Sequence, residues 1–352
     1  MSGDSFGRIF RVTTFGESHG PGLGGIVEGC PAGIEISENI IQAELDRRKP
    51  GKGPLSTKRK EPDVVRLLSG VFNGMTTGTA IGFYIENKDQ RSKDYSQIKD
   101  IYRPGHGDYT YDAKFGFRDY RGGGRSSGRE TVSRVAAGAI AGSLLQNYGI
   151  SLFAYTKELG GISAGFKSAQ AIYENVFACA DPDSVPIWEK LVAEVKKEGD
   201  TLGGVVEIVV ENVPAGLGEP VFDKLDARLA YALMGVGAVK GVEIGSGFEA
   251  ARLKGSENND TMTKSGFNSN MAGGILAGIS SGQPVVVRVA VKPIPSIAKT
   301  QTTLNNKGQE TDINIGGRHD ISAIPRIVPV LKAMTAITVA DMLLLHQARK
   351  NE

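Results

Sequence analysis

The 352-residue chain has little of several things. Cys30 and Cys179 are the only cysteines, and tryptophan occurs once. Two cysteines make neither a disulfide framework nor a zinc cage, and they fit a reducing, cytoplasmic setting. No two of the four histidines, and no Cys–His pair, have a ligand spacing such as HExxH, so no metal site is expected. GxxxxGK[ST] is absent, as is a GxGxxG between strand and helix, so any bound phosphate is held by another device. Gly16-Glu17-Ser18-His19 is not the GxSxG elbow, which argues against a serine nucleophile. Neither sign of charge is in excess. Lys+Arg 41 against Asp+Glu 39 leaves +2, too little to draw the whole molecule to nucleic acid or an acidic membrane. Long apolar runs are also missing. MSGDSFGRIFRV carries no signal-peptide core, and the apolar stretch 271–291 is broken by Ser280-Ser281, Gln283-Pro284 and Arg288.

Glycine is the residue in excess, 47 in all, and it gathers around polar motifs instead of spreading as a linker. With 40% hydrophobic and 23% charged residues, the chain reads as a soluble globular protein able to bury a large core. Residues 8–15 read as a strand, GESHGPGLGG as a loop too glycine-rich for regular structure, and Ile26-Val27 as a strand turned by Pro31-Ala32-Gly33. Ser37 caps a helix through Arg48, with Ile36 and Ile41 spaced as a hydrophobic staple and Pro50 as the stop. A basic arm follows, Arg47, Arg48, Lys49, Lys52, Lys58, Arg59 and Lys60, in the pattern of a solvated loop. Segments 64–72 and 79–86 read as paired strands around Asn73-Gly74. Beyond 150, mixed strand and loop precede a helix at 186–198, a strand at 205–213 and an apolar-faced helix at 222–234. A strand at 284–291, with Arg288 outward, and a long helix at 327–349 complete the reading; Pro329 fits only the first turn of that helix. EGCPAGIEISENIIQAELDRR and ENVPAGLGEPVFDKLDARLAY share a strand, a Pro-Ala-Gly turn and an amphipathic helix. Together they predict one domain over 1–352 built from two similar halves, roughly 1–150 and 200–352.

The richest stretch is 103–149. Ser127 and Glu130 have capping-box spacing, and Val132, Val135, Ala136, Ala139, Ile140 and Leu144 recur at helical spacing up to Gly149. Gly122-Gly123-Gly124 precedes the cap, and Arg118, Arg121, Arg125, Arg129 and Arg134 surround it. A helix start with bare glycines and guanidinium forks points to a bound polyanion. Such a run also occurs in solvated loops and RNA-binding tails, so a nucleic-acid-binding protein is one alternative. His106 in RPGHGD and His19 in GESHG sit among glycines on loops, where an imidazole can titrate near neutral pH. His319 lies between Arg318 and Asp320, and His346 reads as a surface residue of the last helix. The glycine-rich stretches 233–240 and 268–281 and the turn Lys292-Pro293-Ile294-Pro295-Ser296 suit a ligand with a ring and a phosphate.

GESHGPGLGGIVEGCPAG, RPGHGDYTYDAKFGFRDYRGGGRSSGRETVSRVAAGA and GRHD resemble the chorismate synthase family. VPAGLGEPVFDKLDA, VKGVEIG, GGILAGISSGQ and KPIPS resemble it too, in the family's order and over nearly the whole chain. The resemblance implies a carbon–oxygen lyase of the shikimate pathway. Its reaction is the 1,4-anti-elimination of phosphate from 5-enolpyruvylshikimate 3-phosphate, with reduced FMN required but not consumed. It implies an α+β sandwich with long helices between two antiparallel sheets, an internal duplication and a homotetramer. NADPH or an external flavin reductase would be the source of reductant. By position, His19 resembles the proton donor to the leaving phosphate and His106 the partner of the flavin N1 region. Asp320, with Ser18 and Ser127, resembles the group that manages the proton around flavin N5. Arg48, Arg129 and Arg318 resemble substrate clamps, with Arg48 also an NADP contact. The FMN set is Arg125, Ser126, Ser127, Gly237, Ala238, Ala277, Arg318 and the five residues from Lys292 to Ser296. Pro54 stands where many members carry an arginine, and Gly237 replaces a frequent asparagine. An FMN-dependent NADPH oxidoreductase is the alternative among enzymes; it would share the pocket but consume reductant stoichiometrically.

Overall fold

Period-two apolar patterns build two antiparallel sheets. The computed structural model describes residues 3–49, 61–88, 99–315 and 320–349. Its first sheet holds β1 (Ser5–Phe6), β2 (Arg11–Gly16), β3 (Gly22–Glu28), β4 (Val65–Leu67) and β5 (Ile81–Glu86), in the order β1-β2-β3-β5-β4. The second holds β6 (Ser151–Leu159), β7 (Ile162–Ser163), β8 (Gly204–Glu211), β9 (Val239–Ile244) and β10 (Val285–Val291), in the order β9-β10-β8-β6-β7. On one face of this sheet Glu207 and Glu243 both lie opposite Arg288, a cross-strand row of alternating charge that spares a half-buried guanidinium from being alone.

Among the helices are α1 (Glu38–Arg48), α2 (Asp108–Phe115), α3 (Thr131–Asn147), α4 (Val185–Lys197), α5 (Leu225–Met234) and α6 (Ile324–Gln347). Helix α3 packs on α6 and touches β2 and β3 of one sheet and β6 of the other, while α6 touches β6 and β8. One hydrophobic cluster runs through both sheets and these helices. Helix α6 is long and apolar enough to cross a membrane, yet 94% of its apolar window is buried inside the protein. A helix that is apolar all round belongs either in lipid or in a core, and this one forms the core.

Several expectations hold locally. Ser37 accepts the Ile40 N–H at 3.3 Å to cap α1, and Ile36 and Ile41 are fully buried. Other details differ. The glycine run is not a loop throughout: Gly22, Gly24 and Gly25 lie in β3. A Cβ at Gly24 would stand 2.5 Å from the Phe15 ring and 2.6 Å from the Phe83 carbonyl oxygen. The glycines therefore make room for aromatic rings across the sheet. Ser127 caps a 3₁₀ turn, Gly128–Glu130, by accepting the Arg129 N–H, and α3 begins only at Thr131. Glu130 reaches forward to Arg134 and makes no reciprocal box, because an ion pair one turn on competes for its carboxylate. The Asn73-Gly74 turn closes only a small hairpin, Val71–Phe72 with Met75–Thr76, while β4 and β5 pair beyond it. Helix α5 starts at Leu225, leaving Phe222 91% exposed outside it. Pro325, not Pro329, occupies the first turn of α6; Pro329 lies inside the helix, where it withholds the N–H that would bond the Pro325 carbonyl. Pro50, expected to end α1, falls outside the described residues.

Gly138 on α3 sets how closely the two core helices approach. A Cβ there would collide with the Ala333 side chain and come within 2.6 Å of its Cα, whereas a Cβ at Gly142 meets nothing within 4 Å. Overpacking costs about 1–3 kcal/mol, more than the ~1 kcal/mol that alanine gains over glycine in a helix. Gly138→Ala should thus lower the urea midpoint while Gly142→Ala raises it; equal shifts of the same sign would refute the close approach.

Candidate active site

The loop after β2 carries Ser18 and His19, and glycines let other loops close on it. Ser18 Oγ lies 3.1 Å from His19 Nδ1. A Cβ at Gly122 would run into the His19 ring and stand 3.0 Å from Ser18 Oγ, and Gly122 has φ 64. Only glycine fills that position without strain. Asp119 is within charge range of His19; the Arg121 hydrogen bond is the main cause holding its carboxyl below the usual range, and His19 adds to it. Asn87 Nδ2 donates to the Gly20 carbonyl at 2.9 Å and the Glu17 carbonyl at 3.0 Å, pinning the loop from behind.

His106 sits between two more segments. Its Nδ1 is 3.0 Å from the Pro104 carbonyl oxygen and its Nε2 is 3.0 Å from Ser296 Oγ. A carbonyl oxygen can only accept, so Nδ1 carries the proton and, in the neutral ring, Nε2 accepts from the serine. Burial, then the Arg103 charge, lowers the His106 pKa, with Lys292 adding to it and the Pro104 carbonyl and Asp108 opposing. Arg103 itself forks onto buried Asp108 with two bonds of 2.8 Å, and Arg118 closes on the same carboxylate at 3.1 Å. Burial pushes Asp108 up, but the bonds and charges of these arginines outweigh it and hold the carboxyl low. Lys292 Nζ donates to the Gly105 carbonyl at 2.9 Å, and its own N–H donates to the Ala238 carbonyl at 2.9 Å. The 292–296 turn therefore bridges His106 to the 237–238 corner. A Cβ at Gly123 would lie 3.8 Å from Arg103 Nη2, so the Gly122-Gly123 segment lies near both the His19 ring and Arg103.

Beneath these loops lies a buried charge cluster. Arg48, 1% exposed, donates from Nε to Thr131 Oγ1 at 2.9 Å, from Nη2 to the Gly128 carbonyl at 2.9 Å, and from Nη1 to Asp63 at 3.2 Å. Arg129 pairs with the other oxygen of Asp63 and donates from Nε to Asn87 Oδ1 at 2.9 Å. Burial and the charge of Arg326 lower the Arg48 pKa to about 9, with Asp63 opposing, so the guanidinium stays charged at neutral pH. Arg326 reaches Asp320 at 2.7 Å, which ties that carboxylate to the cluster.

His19, Ser18, His106, Ser126, Ser127, Arg129, Ala238 and 292–296 thus meet around one set of loops. Arg48 stands apart from solvent: its bonds go to protein acceptors and hold the Gly128–Glu130 turn. Arg125 donates to the Gly16 and Thr14 carbonyls and to Asp4, latching the glycine loop to β2. Ala277 lies in a hairpin held instead by Leu217, Gly218 and Leu225. Arg318, His319, Lys52, Pro54, Lys58, Arg59 and Lys60 fall outside the described residues. The arginines around the glycine run are not bare cations: Arg118, Arg121, Arg125, Arg129 and Arg134 each pair with a carboxylate. That pairing removes the basis for an RNA-binding tail. Sequence reasoning missed Asp63, Asn87, Asp108 and Arg326. The partners of Asp63 and Asn87 lie far away in sequence, those of Asp108 and Arg326 lie nearby but form no motif, and only the ratio of basic to acidic residues hinted that the arginines were balanced.

A family model described as chorismate synthase matches residues 10–344. The chain belongs to the chorismate synthase family. A chorismate synthase of Maridesulfovibrio salexigens is 67% identical over 99% of both chains, and one of Oleidesulfovibrio alaskensis is 64% identical over 99% of this chain and 98% of its own. One from Syntrophobacter fumaroxidans is 56% identical over 98% of each. A crystal structure of a chorismate synthase superposes with a TM-score of 0.76 at 33% identity, covering 97% of this chain and 93% of the other. The loops assembled here are therefore those of a chorismate synthase, and this chain is a carbon–oxygen lyase.

A half-buried His106 with a lowered pKa makes stability depend on pH. Its pKa lies below 6.5 in the folded chain, so the unfolded chain binds the proton first as pH falls. The stability it contributes is present above 6.5 and is lost as pH drops from there toward the folded value. His106→Gln should flatten the urea-midpoint profile over that interval; parallel profiles would contradict the lowered pKa.

Proposed function

We propose that this chain converts 5-enolpyruvylshikimate 3-phosphate to chorismate with reduced FMN as an unconsumed cofactor, using His19 and His106 on facing loops. The observation that carries the reading is the bonding of His106 to Ser296, and of Lys292 to Gly105 and Ala238, beside a Gly122-Gly123 segment that lies against His19. The substrate's phosphate and two carboxylates suit a site whose arginines are pre-oriented by carboxylates.

The residues present fit a flavin mononucleotide. Ala238 (φ 74) and Ala277 (φ 51) are non-glycine residues in left-handed backbone. Such strain costs about 1–3 kcal/mol and gathers at ligand sites. Gly237 has no atom within 4 Å of where a Cβ would stand, which leaves open space beside that corner. Among the described residues Arg326 Nε is a buried donor with no hydrogen-bond partner, which suits a bound anion, whereas Arg129 Nη2 faces the Glu61 carboxylate at 3.7 Å. Ser126, Ser127, Gly237, Ala238, the 292–296 turn and, from farther off, Arg125 and Ala277 would hold the flavin, with Arg318 joining them by the family resemblance. When bound, reduced FMN supplies electron density transiently while the allylic C–O bond breaks.

The chain's own groups do the rest. His19 donates a proton to the departing phosphate oxygen, with Ser18 orienting its ring. His106, kept neutral by burial and by Arg103, adds no cation where the flavin ring carries charge. Asp320, turned by Arg326, joins Ser18 and Ser127 in handling the proton lost from substrate. Arg129, Arg318 and the Arg48-braced turn orient the anionic groups. The same reading places the protein in the cytoplasm as a homotetramer, a sandwich of two duplicated halves, with NADPH or a separate flavin reductase as the source of electrons. Its two cysteines, both free and buried, are consistent with that compartment.

The test is anaerobic turnover with chemically reduced FMN, following chorismate absorbance and phosphate release. His19→Ala should lower kcat about 10²- to 10⁴-fold, the range of general acid–base groups, and His106→Ala should lower it severely through the flavin it faces, both with unchanged circular dichroism. Near-normal turnover of both would remove them from the mechanism.

A further inference from the structure

Asn87 follows β5 at the edge of the described residues and is buried. Both ends of its amide are used. Its Nδ2 faces the Glu17, Ser18 and Gly20 carbonyls at 3.0, 3.4 and 2.9 Å, and its backbone N–H donates to Pro21 at 3.1 Å. Its Oδ1 accepts from Arg129 Nε at 2.9 Å. The amide orientation needs no choice: a guanidinium only donates and carbonyls only accept, so oxygen must face Arg129 and nitrogen the loop. Arg129 is held in turn by fully buried Asp63, which also takes Arg48.

We propose that Asn87 is a positioning residue that couples Arg129 to the His19 loop, so that the placement of the anion-binding guanidinium sets the placement of the imidazole. No other residue type does both jobs. Aspartate keeps the bond to Arg129 but turns an oxygen toward three carbonyl oxygens, and alanine leaves Arg129 Nε and the loop carbonyls without their shared partner. The inference rests on the reading of His19 as the proton donor.

The experiment is a double-mutant cycle on the full chain with reduced FMN and 5-enolpyruvylshikimate 3-phosphate under anaerobic conditions, supported by NMR titration of the histidine rings. Asn87→Ala and Asn87→Asp should each lower kcat about 10- to 100-fold, the cost of a misplacement near 1 Å, with KM moving less than about threefold. In the His19→Ala background, Asn87→Ala should cost almost nothing further. Losses that multiply in the double variant, or a change carried by KM alone, would overturn the proposal. In the NMR titration the His19 signal should shift its midpoint in both Asn87 variants while His106 keeps its own; an unmoved His19 would also overturn it. If His19→Ala turns over normally, the donor reading fails, and the NMR result still decides whether Asn87 sets the loop. Loss of fold in both variants would make Asn87 a stability residue and refute the positioning role.

Discussion

Asp63 is the constraint on which the site depends. It is fully buried, adopts φ 46, and divides its two oxygens between Arg48 and Arg129. Two guanidinium groups that close would repel each other, and burial would penalise both; the carboxylate between them makes the arrangement tolerable. From it, Arg48 reaches the Gly128 carbonyl and Thr131 at the start of α3, and Arg129 reaches Asn87. Removing the carboxylate would take from buried Arg48 its ion-pair partner, a loss of about 3–5 kcal/mol for such a group, and would leave Arg129 only Glu61 at 3.7 Å. The helix start, the Gly128–Glu130 turn before it and the His19 loop are thus positioned by one buried charge.

The same logic recurs at Asp108, which orients Arg103 and Arg118 beside His106. This explains how a chain of net +2 builds a site for a polyanion. Each arginine near the glycine run has a carboxylate that fixes its direction, so its rotamer entropy is lost on folding and not on binding. The carboxylates also lower the local positive charge. Specific anions are favoured over a general attraction to nucleic acid.

Much of this was legible in the sequence. Local signals dictated α1, where Ser37 and the Ile36–Ile41 pair act within one turn. The histidine loops stood out because glycines flank both imidazoles, the side chains that titrate near neutral pH. What was not legible had long-range causes. The β3 glycines looked like loop because their function is to admit Phe15 and Tyr84 rings from neighbouring strands. Glu130 looked like half of a capping box, but Arg134 competes for it. Pro329 looked like a helix start, but Pro325 fills that place and Pro329 lies inside α6. Asp63, Asn87, Asp108 and Arg326 carry no motif, and each takes its meaning from partners dozens of residues away or from the folded cluster. Arg48 read as part of a solvated basic arm and, by the family resemblance, as a substrate clamp, yet among the described residues it is one of the most enclosed side chains.

The central claim is that these loops perform an elimination in which the flavin's electrons are lent and returned. The most direct measurement is stoichiometry: anaerobic turnover with a limiting, known amount of reduced FMN and no other reductant, counting chorismate and phosphate. The account predicts equal chorismate and phosphate, both far in excess of the flavin present, with the flavin still reduced at the end. Product that stops at one equivalent per reduced flavin would contradict it and return the chain to the oxidoreductase reading.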